Sequence, residues 1–122
     1  MSYYWRRKSK FNAQPTEVDG FRFDSKVEAE FYRYLKALKS AGEVEHIDVH
    51  PIFTLPGGIR FQPDFLVFFK AETEGSGNIA VYDVKGVLTA QARDRKRLFD
   101  ASHPLAPLII VRKKGKRWIY ER

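Results

Sequence analysis

Two short apolar segments of this chain each carry a carboxylate that could take part in chemistry. Asp64 follows Pro63 on one segment, and Asp83 lies two residues before Lys85 at the end of the next. Residues two apart on a β-strand project from the same face, so the Asp83 and Lys85 side chains are expected to lie side by side. If the two segments pair as strands, Asp64 can join them. We interpret two acids and a lysine in a basic chain as a metal-dependent phosphodiesterase site.

The expected cofactor is Mg²⁺ or Mn²⁺, because phosphodiester hydrolysis needs a hard cation to polarise the phosphate and to hold or activate water. Mg²⁺ takes oxygen ligands and keeps several waters, so two or three carboxylates suffice. Asp64 and Asp83 are the natural ligands, and the backbone carbonyl of Val84 is a plausible third. Lys85 could position or deprotonate the attacking water, or stabilise developing charge.

The placement of the acids matters more than the motifs, since an acid-x-Lys triplet or a Pro-Asp pair alone arises easily by chance. Asp64 and Asp83 interrupt apolar strands that would otherwise be core. An unpaired buried carboxylate is costly. Two of them on neighbouring strands therefore indicate a cation.

A further carboxylate is expected from the first predicted helix, which offers Glu28 and Glu30. Glu28 lies in the first turn, and both acids lie off the apolar stripe of the helix. From periodicity alone, either acid is better explained by the positive N-terminal end of the helix dipole. The spacing does not choose between them.

The histidines are predicted to be solvated or packed side chains rather than metal ligands. His46 and His50 are four residues apart, which would matter on a helix, but this stretch looks extended and Pro51 follows directly. His103 looks like a helix end. With three histidines and no cysteine, a zinc site is not expected.

The elements that must position these residues follow from the apolar pattern and the turn residues. Helices are predicted from Asp24 or Ser25 to about Ala41, and from Thr89 to Ser102. A polar stretch at 70–78, rich in Gly and Glu, reads as a hairpin connection. Strands are predicted at 44–55, where Pro51 marks an edge or a bend, and at 59–70, 79–85, 105–112 and 116–121. A small hairpin at 16–23 is predicted to turn at Asp19-Gly20. The predicted fold is an α/β sandwich around a mixed sheet.

Length and composition indicate one packed domain. The chain has 122 residues, of which 43% are apolar and 15% aromatic. The absence of cysteine fits a reducing compartment, and the first eight residues do not read as a secretory signal. The longest apolar run, Phe65 to Phe69, is far too short to span a bilayer. We therefore expect a cytoplasmic protein with no membrane partner.

The charge indicates a polyanion partner, with 22 Lys and Arg residues against 15 Asp and Glu and a net charge of +7. The basic residues fall into three clusters, near the N-terminus, on the second helix and near the C-terminus. Solvated charge kept for solubility is the alternative explanation. The candidate DNA-contacting residues are Arg6, Arg7, Lys8, Lys10, Lys26, Arg93, Arg95, Lys96, Arg97, Lys113 and Lys114.

Residues 1–15 are predicted to form a basic, aromatic N-terminal arm, and residues 16–122 a single nuclease domain. The aromatic side chains of Tyr3, Tyr4 and Trp5 could stack on bases or wedge into branched DNA. They could equally dock on the domain or on a second subunit. The sequence leaves both interpretations open.

Three motifs in this order resemble the PD-(D/E)xK nuclease superfamily. They are Phe-Asp-Ser-Lys-Val-Glu at 23–28, Phe-Gln-Pro-Asp-Phe-Leu at 61–66 and Val-Tyr-Asp-Val-Lys-Gly at 81–86. The resemblance covers roughly residues 16–112, and the motifs are specific only in combination. More narrowly, the chain is similar to small phage endonucleases related to coliphage endonuclease I, and to archaeal-type Holliday junction resolvases.

The resemblance implies a restriction-endonuclease-like core, in which a central mixed β-sheet is flanked by helices. It implies an endodeoxyribonuclease that acts as a homodimer on four-way DNA junctions, in the host cell cytoplasm if the protein is phage-encoded. It selects Glu28 over Glu30, because Glu28 stands where the family has the acid after Ser-x-x. The implied catalytic residues are Glu28, Asp64, Asp83 and Lys85, and the implied metal ligands are Glu28, Asp64, Asp83 and the Val84 carbonyl.

The chain departs from the family in two respects. Many relatives carry Glu at the position of Asp83, and Asp is one methylene shorter, so the metal geometry must adjust. The coliphage enzyme is also longer and swaps segments between its subunits. Two other functions stay open: a nuclease for nicking, end trimming or restriction, and a non-catalytic nucleic-acid-binding module. The module explains the charge and the aromatics but not carboxylates on apolar strands.

Overall fold

A computed structural model describes residues 14–70 and 78–122, which form nine strands and two helices in those ranges. The predicted arm, apart from Gln14 and Pro15, and residues 71–77 of the predicted hairpin connection lie outside these ranges. In chain order the elements are β1 (Thr16–Val18), β2 (Phe21–Phe23), α1 (Lys26–Ser40), β3 (Val44–Val49), β4 (Phe53–Leu55), β5 (Ile59–Phe61), β6 (Phe65–Phe69), β7 (Ile79–Val84), α2 (Ala90–Ser102), β8 (Leu108–Lys114) and β9 (Arg117–Glu121).

The centre of the protein is a five-stranded mixed sheet with the strand order β3-β6-β7-β8-β9. Strands β6 and β7 pair antiparallel with Phe65 opposite Tyr82, and β3 pairs antiparallel with the other side of β6. Strands β7 and β8 are parallel, with Val84 opposite Val111. A parallel pair needs a long crossover, and α2 lies in that connection. The predicted α/β class with a mixed sheet and two helices is confirmed.

Helix α1 packs on one face of this sheet. It begins after Ser25, whose Oγ accepts a hydrogen bond from the Glu28 N–H at 3.2 Å and so caps the first turn. Its apolar stripe faces the sheet and makes the larger core cluster with β2 and the central strands. The buried residues of α1 are Ala29, Phe31, Tyr32 and Leu35.

Helix α2 and the β4–β5 hairpin cover the opposite face. Thr89 caps α2 by accepting a hydrogen bond from the Ala92 N–H at 3.1 Å. Phe99 points from α2 into a smaller core cluster that also contains Val81 and Leu55. The sheet is therefore sandwiched, and residues alternate along β7 between the α1 side and the α2 side.

Two predicted strands are each divided in the structure. The stretch 44–55 forms β3 and β4, because His50 has a left-handed backbone (φ 55°) and Pro51 follows it. The stretch 59–70 forms β5 and β6, separated at Pro63, which has no N–H to donate to a ladder. As a result β4 and β5 pair with each other in a separate two-stranded sheet. The break between β3 and β4 falls at Pro51, where an edge or a bend was predicted, whereas the prediction of one continuous strand at 59–70 was wrong.

The remaining predicted elements agree with the structure apart from their ends. Strand β8 runs from Leu108 to Lys114 instead of 105–112, and Leu105 is 98% exposed. The first hairpin is confirmed, with positive φ at both Asp19 and Gly20, as a tight two-residue turn requires. Neither helix in the described ranges has the length and apolar content needed to cross a membrane.

Candidate active site

Four elements meet at one end of the central sheet. Strand β6 begins there, and its antiparallel neighbours β3 and β7 end there. The first turn of α1 reaches the same place. This topology brings together Asp64 before β6, Asp83 on β7, His50 after β3 and Glu28 on α1.

Asp64 is anchored to β7 through both its backbone and its side chain. Its N–H donates to the Tyr82 carbonyl at 3.2 Å, and its Oδ2 accepts from the Val84 N–H at 2.7 Å. Burial raises the pKa of this carboxyl well above its usual range, and the nearby charges of Asp83 and Glu28 raise it further. The hydrogen bond from Val84 opposes this shift without cancelling it.

Glu28 lies close to Asp64 and Asp83, and these three carboxylates form an acidic cluster. Its Oε1 lies 3.3 Å from the Ser25 hydroxyl, which donates to it. Burial raises the pKa of Glu28 to about 7, and the charges of Asp24 and Asp83 add to the shift, while hydrogen bonds with Asp64 and Ser25 oppose it. The carboxyl groups of Glu28 and Asp64 thus share a site in which it is unfavourable for both to be ionised.

Asp83 and Lys85 lie on the same face of the sheet, as their spacing predicts. The Lys85 Nζ is 3.1 Å from the Asp83 Oδ2, and the Asp83 side chain is 7% exposed. Burial alone would lower the pKa of Lys85, but the charge of Asp83, with those of Asp64 and Glu28, outweighs it and the pKa is raised. Lys85 is therefore held as an ammonium ion between the acids and the solvent.

Glu30, the competing acid on α1, lies elsewhere. Its Oε1 accepts a hydrogen bond from the Lys113 Nζ at 2.9 Å, on the side of α1 that faces the C-terminal strands. Glu28 and Glu30 therefore have different partners although they are two residues apart. The structure brings Glu28, and not Glu30, to Asp64 and Asp83.

His50 is the residue that sequence reasoning missed. One nitrogen of its ring and one carboxylate oxygen from each of Glu28 and Asp64 all lie within 4.8 Å of one another. The prediction of a solvated or packed side chain describes only part of its surroundings, because the ring packs on Phe23 and also lies beside these two acids. The available signal was its place before Pro51, where the chain bends at the end of a strand.

The other histidines lie away from the cluster. His46 is exposed on β3, with its Nε2 2.7 Å from the Asp48 Oδ1. His103 stacks on Phe99 at the end of α2, with ring centroids 4.2 Å apart. Both are placed as expected for a solvated and a packed histidine.

The donor set fits a divalent cation. The carboxylates of Glu28, Asp64 and Asp83 are hard oxygen donors that lie close together, and burial together with their mutual repulsion raises the pKa of Glu28 and Asp64. A cation between them would remove that repulsion. Val84, whose carbonyl is the further predicted ligand, lines the adjoining cleft.

Two clefts open beside the acids. The larger has a volume of about 480 Å³ and lies between the starts of the two helices, with Glu28, Lys85 and Thr89 in its wall. The smaller has a volume of about 170 Å³ and is lined by Asp83, Lys85 and Arg95, among others. Lys85 lines both clefts, and so does the first turn of α2, whose end carries partial positive charge.

The basic residues of α2 divide into exposed and engaged side chains. Arg93 and Arg97 are exposed, and Arg97 also forms a surface ion pair with Asp94 at 3.6 Å. Arg95 is half-buried and reaches the Arg60 carbonyl at 3.5 Å. Lys96 donates to the Leu108 carbonyl at 2.8 Å and to the Asp100 carboxylate at 2.6 Å. These bonds tie α2 to β8, so Lys96 has a structural role that its sequence cluster did not reveal.

The other predicted DNA-contacting residues are more scattered. Lys26 is exposed beside the larger cleft, and Lys114 is exposed at the end of β8. Lys113 is engaged with Glu30 and lies over the Trp118 ring at 5.5 Å. The arm residues Arg6, Arg7, Lys8 and Lys10 lie outside the described residues.

Fold and site together define an α/β protein whose mixed sheet carries acids, a histidine and a lysine at one end. The chain belongs to the family described as "Protein of unknown function (DUF1064)", whose sequence profile matches residues 8–116. The match includes all the residues of the acidic cluster and Lys85. No curated protein matches the chain, and no solved structure does.

Proposed function

We propose that this chain is a metal-dependent DNA endonuclease of the PD-(D/E)xK superfamily, with a restriction-endonuclease-like core. The observation that carries the proposal is the convergence of Glu28, Asp64, Asp83 and Lys85 at one end of the sheet, from three separate motifs. A fold gains little stability from gathering three carboxylates in one half-buried place. A cation and a phosphodiester substrate explain why they are there.

In this proposal Glu28, Asp64 and Asp83 hold Mg²⁺ or Mn²⁺, with the Val84 carbonyl as a further ligand. The cation, when bound, polarises the scissile phosphate and activates a water molecule. The Val84 N–H donates a hydrogen bond of 2.7 Å to the Asp64 Oδ2 and so fixes the orientation of this carboxylate. The Ser25 hydroxyl orients Glu28 in the same way.

Lys85 acts in this proposal as a charge-stabilising residue. Its pKa is raised by the surrounding acids, so it carries a proton at neutral pH and is a poor general base. Its ammonium group lies where both clefts meet the acids, and it can donate hydrogen bonds to a phosphate oxygen as negative charge develops. Of the three roles that the sequence left open, the geometry favours this one.

We propose that the substrate is DNA, and more narrowly the four-way junction, cut by a homodimer. The net charge of +7 and the exposed Arg93 and Arg97 on α2 support a polyanionic substrate. The junction and the dimer follow from the resemblance to junction resolvases. Two copies related by a two-fold axis would present two active sites to opposed strands.

The test is cleavage of a labelled four-way junction with and without Mg²⁺, with products read on a denaturing gel. The Asp64→Ala variant should lose cleavage and keep junction binding, whereas Asp48→Ala, which removes a carboxylate from β3 outside the cluster, should cut normally. Paired symmetric nicks near the branch point would support the resolvase and the dimer. If Asp64→Ala still cuts, the proposed site is wrong.

Competition between a four-way junction and a linear duplex of equal length tests the substrate. Preferential cutting of the junction supports a resolvase. Comparable cutting of both would overturn that narrower proposal and favour a nuclease for nicking, end trimming or restriction. Tight binding with no metal-dependent turnover on any DNA would instead support a non-catalytic binding module.

A further inference from the structure

His50 is held in place by the same segment that carries Asp64. The His50 N–H donates to the Asp64 carbonyl at 2.8 Å, and the His50 carbonyl accepts from the Gln62 side-chain amide at 3.0 Å. Its backbone lies in the left-handed region, with φ 55°. A non-glycine residue keeps this conformation only where its surroundings impose it, and such positions cluster at functional sites.

The imidazole ring is packed on one side and faces acids on the other. Its centroid lies 5.6 Å from that of Phe23, a fully buried residue of β2. One ring nitrogen lies within 4.8 Å of carboxylate oxygens of Glu28 and Asp64. Within residues 14–70 and 78–122, no hydrogen bond engages the ring nitrogens of His50.

We infer that His50 is a ligand of the bound cation and makes the site prefer Mn²⁺ over Mg²⁺. This inference rests on the proposed metal-dependent function, to which it adds a ligand and a metal preference. Two ligands on opposite sides of a cation are about 4.2 Å apart when each bond is about 2.1 Å. The three atoms of Glu28, His50 and Asp64 lie within 4.8 Å of one another, so side-chain shifts of a few tenths of an ångström each would let them share one cation.

The preference follows from the chemistry of the donors. Mg²⁺ binds oxygen and gives up its waters reluctantly, so an imidazole adds little to its affinity. Mn²⁺ also accepts carboxylates, but like other transition metals it binds imidazole nitrogen more readily than Mg²⁺ does. A site with three carboxylates and no histidine would discriminate less between the two metals.

The direct test is pulsed electron paramagnetic resonance of Mn²⁺ bound to the wild-type protein, prepared with ordinary and with ¹⁵N-labelled histidine. A hyperfine coupling that changes with the label identifies an imidazole nitrogen as a ligand and needs no variant. The His50→Asn variant should lose the coupling, because asparagine tolerates the left-handed backbone but lacks the imidazole. His46→Ala, which changes an exposed histidine of β3, should retain it.

Calorimetric titration with each metal alone gives the size of the effect. In wild type Mn²⁺ should bind at least about 10-fold more tightly than Mg²⁺, and His50→Asn should lose about 10-fold in Mn²⁺ affinity with little change for Mg²⁺. Absence of nitrogen coupling, or equal losses for both metals, would overturn the inference about His50 while leaving the nuclease intact. No binding of either metal to wild type would instead overturn the proposed function.

Discussion

The two helices cover opposite faces of one sheet and make different contributions to the molecule. Helix α1 buries four residues against the sheet and sends Glu28 from its first turn into the acidic cluster. Helix α2, which is described throughout its length, buries Phe99 alone and exposes Arg93 and Arg97. The more deeply embedded helix thus carries the carboxylate of the acidic cluster, and the loosely embedded helix carries exposed basic side chains.

This difference has a physical reason. A carboxylate that binds a cation must be held to within a fraction of an ångström, which a helix can do only if its own backbone is fixed by packing. A surface that contacts phosphates needs charge at roughly the right distance, and long arginine side chains adjust to it.

The largest expected effect concerns Glu28 on α1. Glu28→Gln should lower the proposed metal-dependent cleavage by about 1,000-fold or more, because it removes a charged ligand of the proposed cation. Glu30→Gln is the matched control on the same helix, and it should retain nearly full activity because Glu30 pairs with Lys113 instead. Initial rates on the same junction substrate measure both. Equal losses in the two variants would show that α1 is needed only as a scaffold.

The next effect concerns the attachment of α2. Phe99→Ala should lower the free energy of unfolding by about 3–5 kcal/mol, since it removes the buried anchor of this helix. Hydrogen exchange should then rise mainly in α2 and in the β4–β5 hairpin that packs with it. Phe31→Ala on α1 is expected to cost as much, but its effect should spread through the larger core. Identical exchange patterns would remove the distinction between the helices.

The acidic cluster should also make stability depend on pH in metal-free buffer. The pKa of Glu28 is about 7 in the folded protein and 4.5 for the ordinary side chain, so the folded state holds this proton more tightly. The resulting stabilisation is complete below about pH 4.5 and is lost as the pH rises through about 7. Asp64 shifts in the same direction.

Denaturant unfolding of wild type and Glu28→Gln in a chelator measures this effect. The difference in unfolding free energy between them should change by on the order of 2–3 kcal/mol over that pH range, with the variant gaining relative to wild type as the pH rises. Added Mn²⁺ should reverse the wild-type loss. A difference that stays constant with pH would mean that Glu28 is not confined among like charges.

The smallest effect concerns the exposed charge of α2. Replacing Arg93 and Arg97 together by alanine should weaken DNA binding by about 10-fold. The slope of log affinity against log salt concentration should fall by an amount that corresponds to about two fewer released counterions. Cleavage at saturating DNA should change little. Lys39→Ala, on the last turn of α1, serves as the control for a charge lost elsewhere. An equal loss of affinity there would indicate diffuse attraction rather than a surface formed by α2.

The sequence was sufficient for the parts of the structure that depend on local pattern. The caps at Ser25 and Thr89, the apolar stripe of α1 and the alternation around Asp83 and Lys85 all act over a few residues. The short polar connection at 70–78 predicted that the two segments carrying Asp64 and Asp83 would pair as neighbouring strands. These features predicted the helices, the central strands and the convergence of the acids.

What the sequence did not reveal depends on contacts between distant segments. The left-handed backbone of His50 is supported by hydrogen bonds with Asp64 and Gln62, which are more than ten residues away. No local sequence pattern therefore predicts this conformation. The sequence places Lys96 in a basic cluster, but in the structure its ammonium group donates hydrogen bonds to Leu108 and Asp100. Resemblance selected Glu28 over Glu30, and the ion pair with Lys113 gives the physical reason.

The position of β7 in the sheet has a consequence for how a substrate can be fitted. This strand is the third of five, with β6 and β8 bonded to its two sides, and it carries Asp83 and leads directly into Lys85. The Lys85 N–H itself donates to the Val111 carbonyl at 2.9 Å. Local opening around these residues would require breaking ladder hydrogen bonds on both sides, so the backbone here cannot yield to a ligand. For the proposed nuclease, the deformation that brings a phosphate to the acids would therefore come from the DNA, and a branched or kinked molecule would need less further deformation.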